Sequence, residues 1–524
     1  IRKKARNLKM PYAIDLFCGA GGFSEGILQA GFDILFSSDR SPMVQETYVN
    51  RHQQLGLEEG VDTHFELADI KELTSERIFE VINNLRYGNI FKPGDIDVIF
   101  GGPPCQGFSR LGKRDASDPR NMLFHEYLRI IRDVRPRYVV MENVTGILDM
   151  LMLDFPSVVR DESYLGQRLV KEILREELQE LGYVLLDVQV LNSANFGVPQ
   201  QRNRVVFLAY RNDVNPLEYP EPDVLPEVTV REALTGLYNI NQNDLSEYAQ
   251  NRIQGETPTV AGENIPREQI TNMEESRHDI LVSQRFSLYQ PGENTRAVIN
   301  RLKAEGINLR DTRQELFNES LFQVNLSINS KVIHETLIEL NLFDNKFLTS
   351  RWLHFTNRQL ATLSSLKNNE QEFTIVLKSL ASRLNTTLNQ ASTFWETVQP
   401  LLNREYDADT FHRLLMSGEI TDKIGEAILT RKSIRTRLNP NSVSPTIVTL
   451  PDDFIHPYFD RVLTVREMAR LQSFDDSFEF LGKRTTGGDK RSQETPQFTQ
   501  VGNAVPPLLA RAVALKVREA IEAN

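Results

Sequence analysis

Ile14-Asp15-Leu16-Phe17-Cys18-Gly19-Ala20-Gly21-Gly22-Phe23 runs from an apolar strand into a glycine turn and on into a helix. Glycine adopts positive φ without strain and lets backbone approach a ligand where a Cβ would collide. A dinucleotide fingerprint requires a third glycine at position 24, where this chain has Ser24, so the turn matches a nicotinamide site poorly. Outward from it, PYAIDLF, FSEGILQAGF, DILFSSD, IDVIFGG, YLRIIRDV, RYVVMENV and RVVFLAY alternate apolar runs with helical patterns over the first 210 or so residues. Continuous apolar strands separated by helices predict an α/β fold, a doubly wound, mostly parallel sheet covered on both faces. Asp15 and Asp39 end the first two strands and offer acceptors; the second is placed for a ribose diol. Asp69 follows a further apolar piece and offers an acceptor suited to an adenine amino group or another amine.

The remaining chain bounds the reading. With 524 residues, 40% of them apolar, there is core enough for two or three domains. Sixty Lys and Arg against 71 Asp and Glu give a net charge of -11, which excludes a uniformly basic nucleic-acid coat but not a locally basic face. Two cysteines argue against a disulfide scaffold and a Cys-rich zinc site, and no metal site is expected. No run reaches the length of a membrane span, and the basic IRKKARNLKM has no apolar stretch behind it, so an intracellular protein without a signal peptide is expected. Pro216, Pro220, Pro222 and Pro226 predict an extended connector and a domain boundary, closing a catalytic domain at 1–215. Ile333, Leu337 and Leu340, and then Phe373, Leu377, Leu380 and Leu384, predict amphipathic helices in an insertion over about 300–434, within a second domain at 216–490. Val505, Leu508, Leu509, Ala512, Val513 and Leu515 predict a helix in 491–524 that returns to the first domain.

Ile99-Phe100-Gly101-Gly102-Pro103-Pro104-Cys105-Gln106-Gly107-Phe108-Ser109 presents a cysteine directly after a strand, behind two prolines. Arg110, Lys113 and Arg114 follow closely and favour the thiolate, the nucleophilic form. Cys18 reads instead as packing beneath the glycine turn.

Five blocks stand in series: DLFCGAGGFS, GGPPCQGFS, Met141-Glu142-Asn143-Val144, Gln200-Gln201-Arg202-Asn203-Arg204 and Val501-Gly502-Asn503-Ala504-Val505-Pro506-Pro507. Together they resemble the DNA (cytosine-5) methyltransferase family of prokaryotic type, over about 15–210 and 435–515, with an unusually long recognition segment between. The resemblance implies a Rossmann-like S-adenosylmethionine-dependent methyltransferase sheet. It places Phe17, Gly19, Gly21 and Gly22 beside the cofactor, Asp39 on its ribose, Asp69 and Ile70 at its adenine, and Pro103, Leu123, Asn503 and Val505 around the same pocket. Arg40 departs from the pattern, since an aromatic or aliphatic residue commonly stacks on the adenine there.

The resemblance also implies the chemistry. Cys105 attacks C6 of a cytosine rotated out of duplex DNA, Glu142 protonates N3, and Arg204 contacts O2. Arg202 and Gln200 brace the cysteine loop and the phosphate backbone. Gln106, Ser109, Arg110, Lys113 and Arg114 sit in a loop expected to close on DNA, and Arg435 and Arg437, with Arg431 and Lys432, form a second basic stretch read as DNA-binding. Ser444-Pro445-Thr446 and Arg466-Glu467-Met468-Ala469-Arg470-Leu471-Gln472-Ser473-Phe474 match blocks that bound target recognition. The expected partners are double-stranded DNA and a cognate restriction or defence system, for a monomer in the cytoplasm near the nucleoid. Two other functions compete. A tRNA cytosine-5 methyltransferase would carry a Cys-Phe-Thr tripeptide, which is absent, and a DNA-binding relative without catalysis would not keep Cys105, Glu142, Arg202 and Arg204.

Overall fold

The computed structural model describes residues 10–104, 122–223, 226–238, 244–366, 369–430, 434–486 and 493–523. By contacts the chain divides into two units. Unit 1 holds Ile1–Glu274, Asn439–Pro451 and Leu463–Asn524; unit 2 holds Glu275–Leu438 and Asp452–Val462.

Unit 1 is built on one sheet. Its first strands and helices alternate: β1 (Tyr12–Leu16), α1 (Gly22–Gln29), β2 (Asp33–Asp39), α2 (Pro42–Gln54), β3 (His64–Leu67), α3 (Ser75–Asn83), β4 (Val98–Gly101), α4 (Leu123–Val134) and β5 (Tyr138–Asn143). A hairpin of β6 (Leu151–Pro156) and β7 (Ser163–Leu169), which the sequence reading did not anticipate, precedes α5 (Val170–Glu180), β8 (Tyr183–Leu185), β9 (Gln189–Asn192) and β10 (Asn203–Arg211). The sheet order is β3-β2-β1-β4-β5-β10-β8, with β9 also on β10. The first five strands are parallel, and β10 runs antiparallel to β5, β8 and β9.

Alternation along β1 shows why both faces are covered. Tyr12, Ile14 and Leu16 enter one core with α3, α4 and α5, whereas Ala13 enters the other with α1 and the last helix, Pro507–Glu522. The strand order reverses between β1 and β4, so a crevice opens beyond their carboxyl ends, where ligands bind in open α/β sheets. Register carries the same edge across the sheet: Leu16 pairs with Gly101, Gly101 with Met141, and Asn143 with Val205.

The boundary expected at the prolines after residue 215 is corrected to 274/275, because the proline stretch lies along the sheet. Leu217 is buried in the second core, and the Tyr219 hydroxyl donates to the Val206 carbonyl at 2.7 Å. Residues 463–490 likewise belong to unit 1, where every residue of the helix Val465–Leu471 is buried. The last helix does return to the sheet, and glycines decide how closely. A methyl group built on Gly26 would lie 2.5 Å from the Ala510 Cβ, and one on Gly22 would lie 2.4 Å from the Val505 carbonyl.

Unit 2 is mainly helical among its described residues. The helices Leu326–Glu339 and Glu370–Leu384 bury Ile333 and Leu337, and Leu377, Leu380 and Leu384, as their spacing predicts. A short parallel ladder pairs Thr436–Arg437 with Phe454–Ile455.

Candidate active site

The turn after β1 takes positive φ at Phe17 (+56°), Gly19 (+54°) and Gly21 (+99°). The Cys18 amide donates to the Ser38 carbonyl at 3.1 Å, tying the turn to β2. Cys18 itself is buried with Val44, Tyr48 and Phe65, and burial pushes its thiol well above the ordinary range, as suits packing. Asp39 accepts from the amides of Gly19 (3.3 Å) and Ser41 (2.9 Å), and burial raises its carboxyl above the usual range. Beneath the turn, Asp15 takes a 2.5 Å bond from the Ser24 hydroxyl, while burial pushes its carboxyl up to about 7. Its Oδ1 is buried without a hydrogen-bond partner. A Cβ on Gly19 would meet nothing within 4 Å, so the turn leaves open space above the backbone.

The neighbouring positions follow from the strand ends. Asp69 accepts from the Lys71 amide at 3.0 Å, and Arg129 of α4 donates to the carbonyls of Ile70 and Leu73 at 2.9 and 2.8 Å, fixing the segment after β3. Leu123 opens α4 half-buried, Pro103 is buried, and Arg40 is exposed. Asn503 is exposed at the end of the helix Gln497–Asn503, and Val505 is half-buried beside Gly22.

Glu142 at the end of β5 faces Arg204 at the start of β10, with Nε to Oε1 at 2.7 Å. Burial raises the Glu142 carboxyl above the usual range, and Arg204 and Arg202 oppose the rise. A Cβ on Gly102 would stand 3.4 Å from the Glu142 Oε2, so the segment after β4 passes directly beside this carboxyl. Asn143, quoted within a sequence block but given no role there, is the brace: its Nδ2 donates to the Pro103 carbonyl at 3.1 Å. Glu25 is a second residue the sequence reading passed over. Buried on α1, it accepts from the Nε and Nη2 of Arg51 at 2.9 Å each and so fixes α1 against α2.

Several expected site residues point elsewhere. Arg202 is 2% exposed and donates to the carbonyls of Ile447 and Gly502 at 2.9 Å, so it braces unit 1 from inside and does not reach the open site. Gln200 is fully buried. Its amide donates to the Leu471 carbonyl and the Gln472 side chain and accepts from the Ile447 amide, which leaves nothing for DNA. Arg437 is buried on the carbonyls of His456, Phe459 and Phe286 and pairs with Asp460. Arg435 is buried over the Phe286 ring at 5.1 Å and donates to the Asp452 carbonyl. The DNA-binding expectation for Gln200, Arg435 and Arg437 is therefore corrected, because all three side chains are buried against internal acceptors. Cys105, Gln106, Ser109, Arg110, Lys113 and Arg114, and likewise Arg431 and Lys432, lie outside the described residues. No helix among the described residues is long and apolar enough to cross a membrane.

Comparison with known proteins adds four findings. The profile of the C-5 cytosine-specific DNA methylase family matches residues 12–519. The type II methyltransferase M.DdeI of Desulfomicrobium norvegicum is 27% identical over 506 residues, covering 96% of this chain and 88% of that protein. The type II methyltransferase M.AgeI of Thalassovita gelatinovora is 26% identical over 535 residues, covering 97% and 99%. Among solved structures, a DNA modification methyltransferase encoded within an E. coli prophage shares the fold, with a TM-score of 0.55 at 19% identity over 98% of this chain and 99% of that one.

Proposed function

The chain belongs to the C-5 cytosine-specific DNA methylase family, and from that premise we propose that it methylates C5 of a cytosine rotated out of duplex DNA, using S-adenosylmethionine and a covalent bond from Cys105 to C6. It is a DNA cytosine-5 methyltransferase of restriction–modification type, as its type II relatives are named. The observation that supports the chemistry is the Glu142–Arg204 pair beside Gly102, with Asn143 holding the Pro103 carbonyl two residues before Cys105.

The residues fit an S-adenosylmethionine site. The glycine turn is open above Gly19, Asp39 stands at the end of β2 for a ribose diol, and the orphaned buried Oδ1 of Asp15 lies below the turn. Bound there, the cofactor supplies an electrophilic methyl group. Cytosine C5 is too weak a nucleophile to take it unaided, and the protein's task is to activate the ring. The Cys105 thiolate adds to C6 while Glu142, which burial biases toward its protonated form, gives a proton to N3. Arg204 lies against Glu142 with its guanidinium also anchored on the Asn203 carbonyl at 2.8 Å, oriented to hold the base through O2. Once C5 has taken the methyl group, loss of the C5 proton, departure of the thiolate from C6 and return of the N3 proton to Glu142 restore the ring and the acid. Unit 2, with little counterpart in the chemistry, chooses the sequence.

Incubation with tritiated S-adenosylmethionine and separate pools of duplex DNA and tRNA tests the reading: label in DNA is expected, and label in tRNA alone overturns it. Cys105→Ala should abolish turnover while retaining cofactor binding, and a 5-fluorocytosine duplex should trap the wild type covalently. Active protein that is not trapped would refute the role given to Cys105.

A further inference from the structure

Among the described residues, the exposed large aromatic side chains are Tyr458 (50%) and Phe459 (46%), adjacent in one turn of unit 2. Every other described tyrosine, phenylalanine and tryptophan whose burial is given is at least half-buried. Two apolar rings left together in water are a feature of binding surfaces rather than of random exposure.

The turn that carries them is held rigid from within. His456 is fully buried, and its Nδ1 accepts from the amides of Tyr458 at 3.0 Å and Phe459 at 3.2 Å. Burial and two arginines push that imidazole down to about 3, so it stays neutral and keeps the acceptor these amides need. Its ring stacks on Phe459 at 4.6 Å, and the Arg461 guanidinium lies 5.2 Å from the Phe459 ring. Arg437 closes the turn from below, donating to the carbonyls of His456 and Phe459 at 3.0 and 3.2 Å. Phe459, stacked on His456, is thus the support, and Tyr458, which meets the same imidazole edge-on at 5.8 Å, is the ring presented. Burying two arginines and a histidine to shape one turn makes sense where the turn must hold its geometry before a partner arrives.

We propose that Tyr458, backed by Phe459, is a DNA-contacting residue of unit 2 whose ring stacks on a base exposed by distortion of the duplex. The occupant follows from the family's substrate, DNA, in which every base offers a π-face to an aromatic ring, and rotating a base out of the stack leaves such faces uncovered. The inference rests on the reading of unit 2 as the part that engages DNA.

Tyr458→Ala and Tyr458→Phe in the full chain test it, each compared with wild type for methyl transfer to plasmid DNA, for direct binding to a pool of random-sequence duplexes at fixed salt, and for S-adenosylhomocysteine affinity. Stacking on one base predicts that Tyr458→Ala raises KM for DNA about five- to 150-fold, with kcat within about twofold. Tyr458→Phe should stay near wild type, since the ring and not the hydroxyl does the work, and S-adenosylhomocysteine affinity should not move. An unchanged KM in the alanine variant overturns the proposal, as does a phenylalanine variant as impaired as alanine, or loss of cofactor affinity along with DNA affinity, which would mark the turn as structural. Loss of self-association with wild-type DNA kinetics would assign the turn to a second copy and also overturn it. Because DNA binding is read directly, a wild type that binds duplex without methylating it would count against the proposed chemistry and leave this comparison intact.

Discussion

Gly26→Ala probes how the last helix shapes the cofactor crevice. Gly26 lies on α1, four residues after Gly22, so both glycines face the same side of the helix. A methyl group at position 26 would sit 2.5 Å from the Ala510 Cβ, 2.5 Å from the Arg511 backbone nitrogen and 2.6 Å from the Pro507 carbonyl. Carbon contacts are comfortable from about 3.5 Å, so the two helices must part by about 1 Å. Two of the three neighbours are backbone atoms and cannot rotate away. Overpacking of this kind costs about 1–3 kcal/mol, offset in part by about 1 kcal/mol from the better helix propensity of alanine. The expected net loss is up to about 2 kcal/mol, read as a lower urea midpoint with an unchanged slope. Asn503 and Val505 stand shortly before this helix, so the displacement also shifts what the proposed function takes as one wall of the cofactor crevice, and a misplacement near 1 Å is enough to weaken function up to about 10²-fold. Calorimetry with S-adenosylhomocysteine should show at least about a tenfold loss of affinity. A variant with wild-type midpoint and wild-type affinity would refute the argument, because it would mean that α1 and the last helix do not meet at Gly26.

Three further outcomes are expected. Glu467→Gln should stabilise the protein in alkali: burial pushes the Glu467 carboxyl up to about 8 against about 4.3 unfolded, so its stabilising contribution is complete below about pH 4 and lost as pH rises to 8. The difference in melting temperature between variant and wild type should therefore widen over that window, and a difference independent of pH would contradict it. Arg470→Met should destabilise by about 3–5 kcal/mol in urea titrations, since it leaves Asp476, bonded by Arg470 at 2.5 and 2.7 Å in a fully buried pair, without its main counter-charge. Glu142→Gln should lower kcat about 10²- to 10⁴-fold and leave S-adenosylhomocysteine affinity unchanged. In the proposed mechanism Glu142 acts in its protonated form, and burial raises its carboxyl above the usual range, so wild-type kcat should fall as this carboxyl ionises with rising pH, a limb the glutamine variant should lack.

What the sequence disclosed and what it hid divide along a physical line. The glycine turn and the strand ends at Asp15 and Asp39 were legible because each depends on local conformation, and local conformation follows from nearby residues. Even the return of the last helix follows, since an apolar face must be buried and the sheet offers one. Long polar side chains behave differently. Arg202 and Arg204 stand two apart, which in a strand would set both on one face. The strand begins only at Asn203, however, so Arg202 escapes the pleat and turns inward to Ile447 and Gly502, while Arg204 meets Glu142. Arg435 and Arg437 mislead for the same reason. Their charge reads as a face for phosphate, yet a guanidinium carries five donors and is as readily satisfied by carbonyls, here those of residues 286, 452, 456 and 459. Nothing near them in sequence announces those acceptors. The prolines after residue 215 misled through the opposite assumption, that an extended segment must be a linker: Tyr219 lets this one lie along β10 as part of the core. A basic run is thus weak grounds for a DNA contact until the partners of its donors are known, whereas at Tyr458 the partner is on view: the ring meets the buried His456 imidazole edge-on at 5.8 Å and still stands 50% exposed, which leaves ring surface for the proposed base.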